Sequence, residues 1–280
     1  MAGDEGKGTG LDRRSFLKLA GGILGSAGVY AVLINVKGTA VLDIASGQAA
    51  GDYDPNEHYW GFVVNSHNCI GCGKCVVACK QENRVPQRDD CNRTWIERYH
   101  LTEDGRVLVD SPQSGINGFV GKPYLKPGEP EPIIDKAFFV PKLCNQCDNA
   151  PCIQVCPVSA TYKTKDGIIL VDQERCIGCR YCIMTCPYGA RYLVPADADR
   201  SPTGNTSVAD KCTWCYHRIT KGRLPACVEA CPVGARVFGD LNDPESPVRK
   251  IMRETRVAVL KPDLGTKPKC YYVGLEEGVR

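Results

Sequence analysis

The 280-residue chain is 43% hydrophobic and 24% charged, which allows one large or two modest globular domains. Its formal charge of +3 comes without a basic stripe or interleaved aromatics, so nothing in it suits a nucleic-acid partner. It carries 18 cysteines, and thiols spaced two or three residues apart suit metal better than disulfides closing useful loops.

In chain order, residues 1–10 are Gly-rich and polar. Gly6, Lys7, Gly8 and Thr9 lack the Walker spacing and a preceding strand, so they read as an n-region and not a phosphate loop. Asp12, Arg13, Arg14, Ser15, Phe16, Leu17 and Lys18 then precede an uncharged run over 19–36. This looks like a twin-arginine export signal; a solvated helix face is the plainer alternative for two adjacent arginines. That route carries folded proteins, and it predicts a periplasmic or extracytoplasmic location. Ala49 and Ala50 make a poor cleavage site, and 18 apolar residues stand at the lower edge of a membrane span. Residues 1–50 are therefore read as a signal or an N-terminal anchor.

Residues 51–57 are a linker, and 60–64 is a strand feeding the first cysteine run: Cys69, Cys72, Cys75 and Cys79, with a helix over 76–83. Residues 82–136 form a long insertion. Its Pro/Gly-rich middle, 115–132, reads as surface loop, and 106–109 as a strand of a hairpin. Such an excursion covers a partner-facing surface more often than it holds chemistry. A strand at 138–140 leads to the second run, Cys144, Cys147, Cys152 and Cys156. A strand at 167–171 leads to the third, Cys176, Cys179, Cys182 and Cys186, which 191–194 closes. After a polar loop at 196–206 comes the fourth, Cys212, Cys215, Cys227 and Cys231, closed by 236–238. The tail, 241–280, holds a helix near 248–255 and ends polar.

The third run, ending at Pro187, reads C-x2-C-x2-C-x3-C-P. Three thiolates on such a loop cap one cubane [4Fe–4S] cluster, and the fourth, on a short helix, ligates another. The first run has the same spacing with Lys80 in place of Pro. The second and fourth widen one gap to four and eleven residues. After the last cysteine the chain repeats Pro157-x-Ser159-Ala160, Pro187-x-Gly189-Ala190 and Pro232-x-Gly234-Ala235, one supersecondary unit used several times. Zinc ribbons also use paired C-x2-C knuckles, but they need no third and fourth cysteine at these spacings followed by Pro. Four oxidised clusters at about −2 each would leave the loaded protein near −5.

A cluster with four thiolates has no open site and exchanges one electron. With no dinucleotide fingerprint and no nucleophile–base pair, the chain reads as a non-catalytic electron-transfer protein. Lys74, Arg180 and Lys211, beside cluster cysteines, are candidates for raising a potential. His67 and Trp214 read as packing. Cys91 and Cys270 remain, either as a disulfide or as buried thiols.

The runs pair either in sequence or by nesting. Nesting accounts for the gaps, because only 19 residues separate runs two and three. Over roughly residues 60–238 the sixteen-cysteine pattern resembles the four-cluster electron-transfer subunit of the complex iron–sulfur respiratory oxidoreductases. That family includes the polysulfide, tetrathionate and dimethyl sulfoxide reductases and the menaquinol-linked nitrite reductase. The resemblance implies an α+β fold with two nested bacterial-ferredoxin-like βαβ dicluster modules. The outer module is 58–81 plus 208–240, and the inner one is 137–200. It implies four [4Fe–4S] clusters with ligand sets Cys69/Cys72/Cys75/Cys231, Cys79/Cys212/Cys215/Cys227, Cys144/Cys147/Cys152/Cys186 and Cys156/Cys176/Cys179/Cys182. It also implies a polytopic quinone-interacting membrane subunit and a catalytic molybdopterin or multihaem cytochrome subunit as partners. A free exported polyferredoxin is the alternative.

Overall fold

The computed structural model describes residues 53–122, 125, 130–198, 207–276 and 278–279. The arginine pair and apolar run over 12–36 lie outside the described residues, as does most of 196–206. In chain order the elements are β1 (Trp60–Asn65), α1 (Lys74–Glu82), β2 (Thr94–Thr102), β3 (Val107–Asp110), β4 (Ile134–Leu143), α2 (Pro151–Gln154), β5 (Thr161–Lys163), β6 (Ile169–Val171) and α3 (Tyr181–Met184). Then follow β7 (Arg191–Val194), β8 (Val208–Lys211), α4 (Tyr216–Ile219), α5 (Ala226–Glu229), β9 (Arg236–Asp240), α6 (Pro247–Glu254), β10 (Val257–Ala258) and β11 (Cys270–Val273). Among the described residues no helix is long and apolar enough to cross a membrane.

The largest sheet has the order β10-β11-β1-β9. β1 runs antiparallel to β9, with Phe62 opposite Phe238, and parallel to β11, with Phe62 opposite Cys270. The unbroken apolar run of β1 follows from burial on both faces. Phe62 and Val64 enter the main core with Trp214, Phe238 and Tyr272; Val63 enters a second cluster with Val248 and Val273 under α6. Ser246 caps α6 by accepting from the Arg249 N–H at 3.4 Å, and Pro247 opens its first turn, where no donor is missed.

Two features go beyond the sequence reading. The strands expected at 106–109 and 138–140 are joined by the long β2, and β2, β3 and β4 form a three-stranded antiparallel sheet whose Ile96, Tyr99, Val140 and Leu143 are core residues. The tail also holds a strand that no local pattern predicts: β11 fills an interior position of the main sheet, and Cys270 and Tyr272 are fully buried. The short hairpins β5–β6 and β7–β8 lie between cysteine runs. The second hairpin joins the exit of run three to the entrance of run four. Cys91 and Cys270 are both free, buried thiols in different apolar clusters, so they form no disulfide.

Candidate metal centres

All four C-x2-C loops turn the same way. The residue before the second cysteine is left-handed in each: Gly71 (φ +67°), Gln146 (+46°), Gly178 (+68°) and Trp214 (+52°). Glycine adopts this at no steric cost, and runs one and three use it. A Cβ on Gly178 would stand 2.3 Å from the Ser207 carbonyl oxygen. Runs two and four put large side chains there, at a cost of roughly 1–2 kcal/mol each, and each reaches across to the other loop. Gln146 donates to the Cys212 carbonyl at 2.9 Å and accepts from the Ile169 N–H at 2.7 Å. Trp214 donates to the Cys144 carbonyl at 3.1 Å. Loops two and four are thus clasped reciprocally, and both side chains are buried.

The repeat after each last cysteine also has a structural reason. Ser159, Gly189 and Gly234 are left-handed at one position (φ +52°, +62° and +62°). That turn aims the next N–H back at sulfur: Ala160 donates to Cys156 Sγ and Ala235 to Cys231 Sγ, both at 3.2 Å. Run one has Lys80 for Pro, so α1 continues to Glu82. There the Asn83 side-chain amide takes over, 3.6 Å from both Cys79 Sγ and Cys215 Sγ.

These turns bring thiols together. Cys69, Cys72, Cys75 and Cys231 line one cavity with Arg236 on its wall. Cys144, Cys147, Cys152 and Cys186 line another with Arg191 and Asn145. Cys79, Cys212, Cys215 and Cys227 are all buried. Burial, then the charges of Cys212 and Cys227, push the Cys79 thiol up. Of the remaining four, Cys182 and Cys176 are electrostatic neighbours, the Cys176 sulfur accepts from the Ala209 N–H at 3.3 Å, and Cys179 is exposed. Neighbouring sets are linked in file. Cys227 feels Cys75, Cys212 feels Cys144, and Cys182 feels Cys152.

The chemistry of the donor set fits a cationic metal core. Burial is the main reason that Cys69 is pushed up to about 11, and Cys147 and Cys212 to about 12. Such groups are thiols at neutral pH, and only a metal's own charge makes so crowded a set of thiolates favourable. Cys156 is the exception: burial raises it, but N–H groups of Thr161, Val158 and Ala160 outweigh burial and hold it below the ordinary thiol value. Arg236 Nε and Nη1 and both polar atoms of Asn145 are buried with no hydrogen-bond partner among the described residues, and both side chains line cysteine cavities. Donors left this way point to acceptors inside the cavities, as cluster and thiolate sulfur would supply. Among the described residues no three His, Cys, Asp or Glu side chains converge on a single metal ion.

Of the cations singled out in the sequence, Lys74 and Arg180 are exposed. Lys211 is buried, but its amine donates to the Ile169 and Cys212 carbonyls. The groups that do reach sulfur are Arg191 and Asn83, and Arg236 stands on the wall of a cysteine cavity; the sequence reading singles out none of them. A signal exists in the repeat, since both arginines directly follow its alanine.

Residues 135–241 match the 4Fe-4S dicluster domain family, and residues 66–82 match a 4Fe-4S binding domain. A tetrathionate reductase subunit of Salmonella typhimurium is 38% identical over 79% of this chain and 74% of its own length. The tetrathionate reductase subunit of the same name from Archaeoglobus fulgidus is 44% identical over 76% of this chain and 81% of its own. An Hdr-like menaquinol oxidoreductase iron-sulfur subunit from the same archaeon is 34% identical over 95% of this chain and 98% of its own. Four cysteine runs built on one repeated turn, with these relatives across three-quarters or more of the chain, make it a member of the iron–sulfur subunit family of respiratory reductases such as those for tetrathionate, polysulfide, dimethyl sulfoxide, selenate and arsenate.

Proposed function

We propose that the sixteen cysteines hold four [4Fe–4S] clusters in the sets Cys69/Cys72/Cys75/Cys231, Cys79/Cys212/Cys215/Cys227, Cys144/Cys147/Cys152/Cys186 and Cys156/Cys176/Cys179/Cys182. The chain then relays electrons between a quinone-reactive membrane subunit and a catalytic or cytochrome subunit. The observation that carries this reading is that cysteines one helical turn apart have different partners. Cys75 lines a cavity with Cys69, Cys72 and Cys231, whereas Cys79 has Cys212, Cys227 and Cys215 as its charged neighbours. Cys227 and Cys231 divide in the same way, and the proposal extends the division to Cys152 and Cys156 and to Cys182 and Cys186.

Nesting is supported by the packing: α1 of run one lies against α5 of run four, and α2 of run two against α3 of run three. When bound, such clusters supply one-electron transfer with no open coordination site. The protein's part is to exclude water, hold the thiolates and aim N–H groups at sulfur. Changing Cys212 to Ala should remove one cluster's worth of iron and sulfide and stop electron flow through the complex. Unchanged iron content and flow would defeat the assignment. A chain isolated as a lone monomer on native gels would favour a free polyferredoxin.

Export by the twin-arginine route is part of the same proposal, supported by Arg13, Arg14 and the apolar stretch after them. The N-terminal sequence of membrane-isolated protein tests it. A mature start near Ala50 excludes an uncleaved anchor, and replacing both arginines by Lys should leave the protein in the cytoplasm.

A further inference from the structure

A buried cation without a counter-ion is costly, and most buried cations here have one. Arg93 pairs with Asp210 at 2.8 Å, Lys142 with Glu97 at 2.7 Å and Arg218 with Glu82 at 2.7 Å. Lys80 instead donates to three backbone carbonyls.

Arg191 and Arg236 differ. They are 5% and 2% exposed, and neither meets a carboxylate among the described residues. Arg236 spends Nη2 on Thr94 Oγ1 at 2.7 Å, and its Nε and Nη1 have no partner. Its charged neighbours are Cys75 and Cys69 of one set and Cys227 of the next. Arg191 Nη2 donates to Cys152 Sγ at 2.9 Å, and Cys182 is another of its charged neighbours. Those two thiols again belong to adjacent sets. The arginines therefore occupy equivalent places. Each directly follows the alanine of the repeat and starts a strand, β9 or β7. Each wall it forms faces four cysteines.

We propose that Arg236 and Arg191 are a pseudo-symmetric pair of potential-setting residues, each wedged between the two clusters of one module and raising the reduction potential of both. The inference rests on the four-cluster reading above. Positive charge and hydrogen bonds to sulfur favour the more negative, reduced cluster, and burial keeps water from screening them. Because each guanidinium has cysteines of two sets as its charged neighbours, its effect is expected to stop at the module boundary. Arg236 acts on the sets of Cys75 and Cys227, and Arg191 on those of Cys152 and Cys182.

Redox titration of the whole complex, followed by paramagnetic resonance, tests this. Arg236→Gln should shift two of the four clusters to lower potential by at least tenfold in the reduced-to-oxidised ratio at a fixed potential, which is 59 mV for one electron. The other two should stay put. Arg191→Gln should shift the complementary pair, and the Lys variants should restore most of each shift. A change under twofold in every cluster, or one spread evenly over all four, overturns the proposal.

A second measurement uses unaltered protein, in case a Gln variant loses its clusters. Complex grown on ¹⁵N-labelled arginine should show ¹⁵N couplings on its reduced clusters in pulsed resonance spectra, and their absence overturns the proposal as well. Unaltered protein lacking cluster signals and iron would instead defeat the four-cluster reading itself.

Discussion

Runs one and three keep the regular ferredoxin spacing; runs two and four do not. The regular loops turn on glycine and leave an isoleucine outside, with Ile70 57% and Ile177 58% exposed. The irregular loops turn on Gln146 and Trp214, which are buried and bound to each other's loops. A loop that turns on glycine needs nothing from its neighbours, so it can stand at the surface. A loop that turns on a large side chain is strained alone and relies on a tertiary partner. The irregular runs are therefore irregular because they face each other across the middle of the molecule, where the sets of Cys212 and Cys144 meet.

Trp214→Ala should break this contrast most severely. Removing a buried aromatic of this size costs about 3–5 kcal/mol, and it leaves the Cys144 carbonyl unpaired. The loss should appear as a lower thermal midpoint and as weakened signals from the two central clusters together.

Gly178→Ala attacks the other class of loop. Its Cβ would meet the Ser207 carbonyl at 2.3 Å in left-handed backbone, and a strained residue costs roughly 1–3 kcal/mol. Only the Cys156/Cys176/Cys179/Cys182 cluster should become labile, read as selective iron loss.

Gln146→Leu keeps the bulk but orphans the Ile169 N–H, at about 1–3 kcal/mol for a buried group, while the Cys212 carbonyl keeps the Lys211 amine. It should resemble a milder Trp214 variant. Ile177→Ala, at the exposed tip of a regular loop, should change stability by no more than about 0.5 kcal/mol, and a larger change would mean that this loop too depends on packing.

Cys91 gives a pH-dependent control away from the loops. Burial first, then Asp90, push its thiol up to about 11, against about 8.5 when unfolded. Its contribution to stability is complete below about pH 8.5 and declines as pH rises toward 11, because the unfolded chain releases the proton first. Native protein at pH 8 should resist iodoacetamide at Cys91, and Cys91→Ala should flatten the alkaline side of the stability profile.

Much of this is legible in the sequence. Sulfur spacing marks the loops, and the uninterrupted apolar run of β1, the exits of runs three and four and the α6 helix stand close to where pattern alone puts them. The sheet of β2, β3 and β4 is hidden because its interior carries Arg98, His100 and Lys142. Pairing of Arg98 with Asp110 and Lys142 with Glu97 buries what a hydrophobicity pattern assigns to solvent. β11 is hidden for another reason: a four-residue strand after a polar stretch enters the sheet parallel to β1, across some 200 residues of chain, and no local period announces such a partner. The tuning arginines escape a sequence reading because nearness in the chain stands in for nearness in space. Lys74 and Arg180 adjoin cysteines yet are exposed, whereas Arg191 and Arg236 lie five residues past one and return to the walls of the cysteine cavities.

Cys75 and Cys79 stand one helical turn apart, about 6 Å along the axis at 1.5 Å per residue. That turn works as a covalent ruler. On the proposed ligand sets, the long gap within run four, the sheet between runs one and two and the strand in the tail all lie outside that turn, so the step from one metal centre to the next is fixed by the helix and not by them.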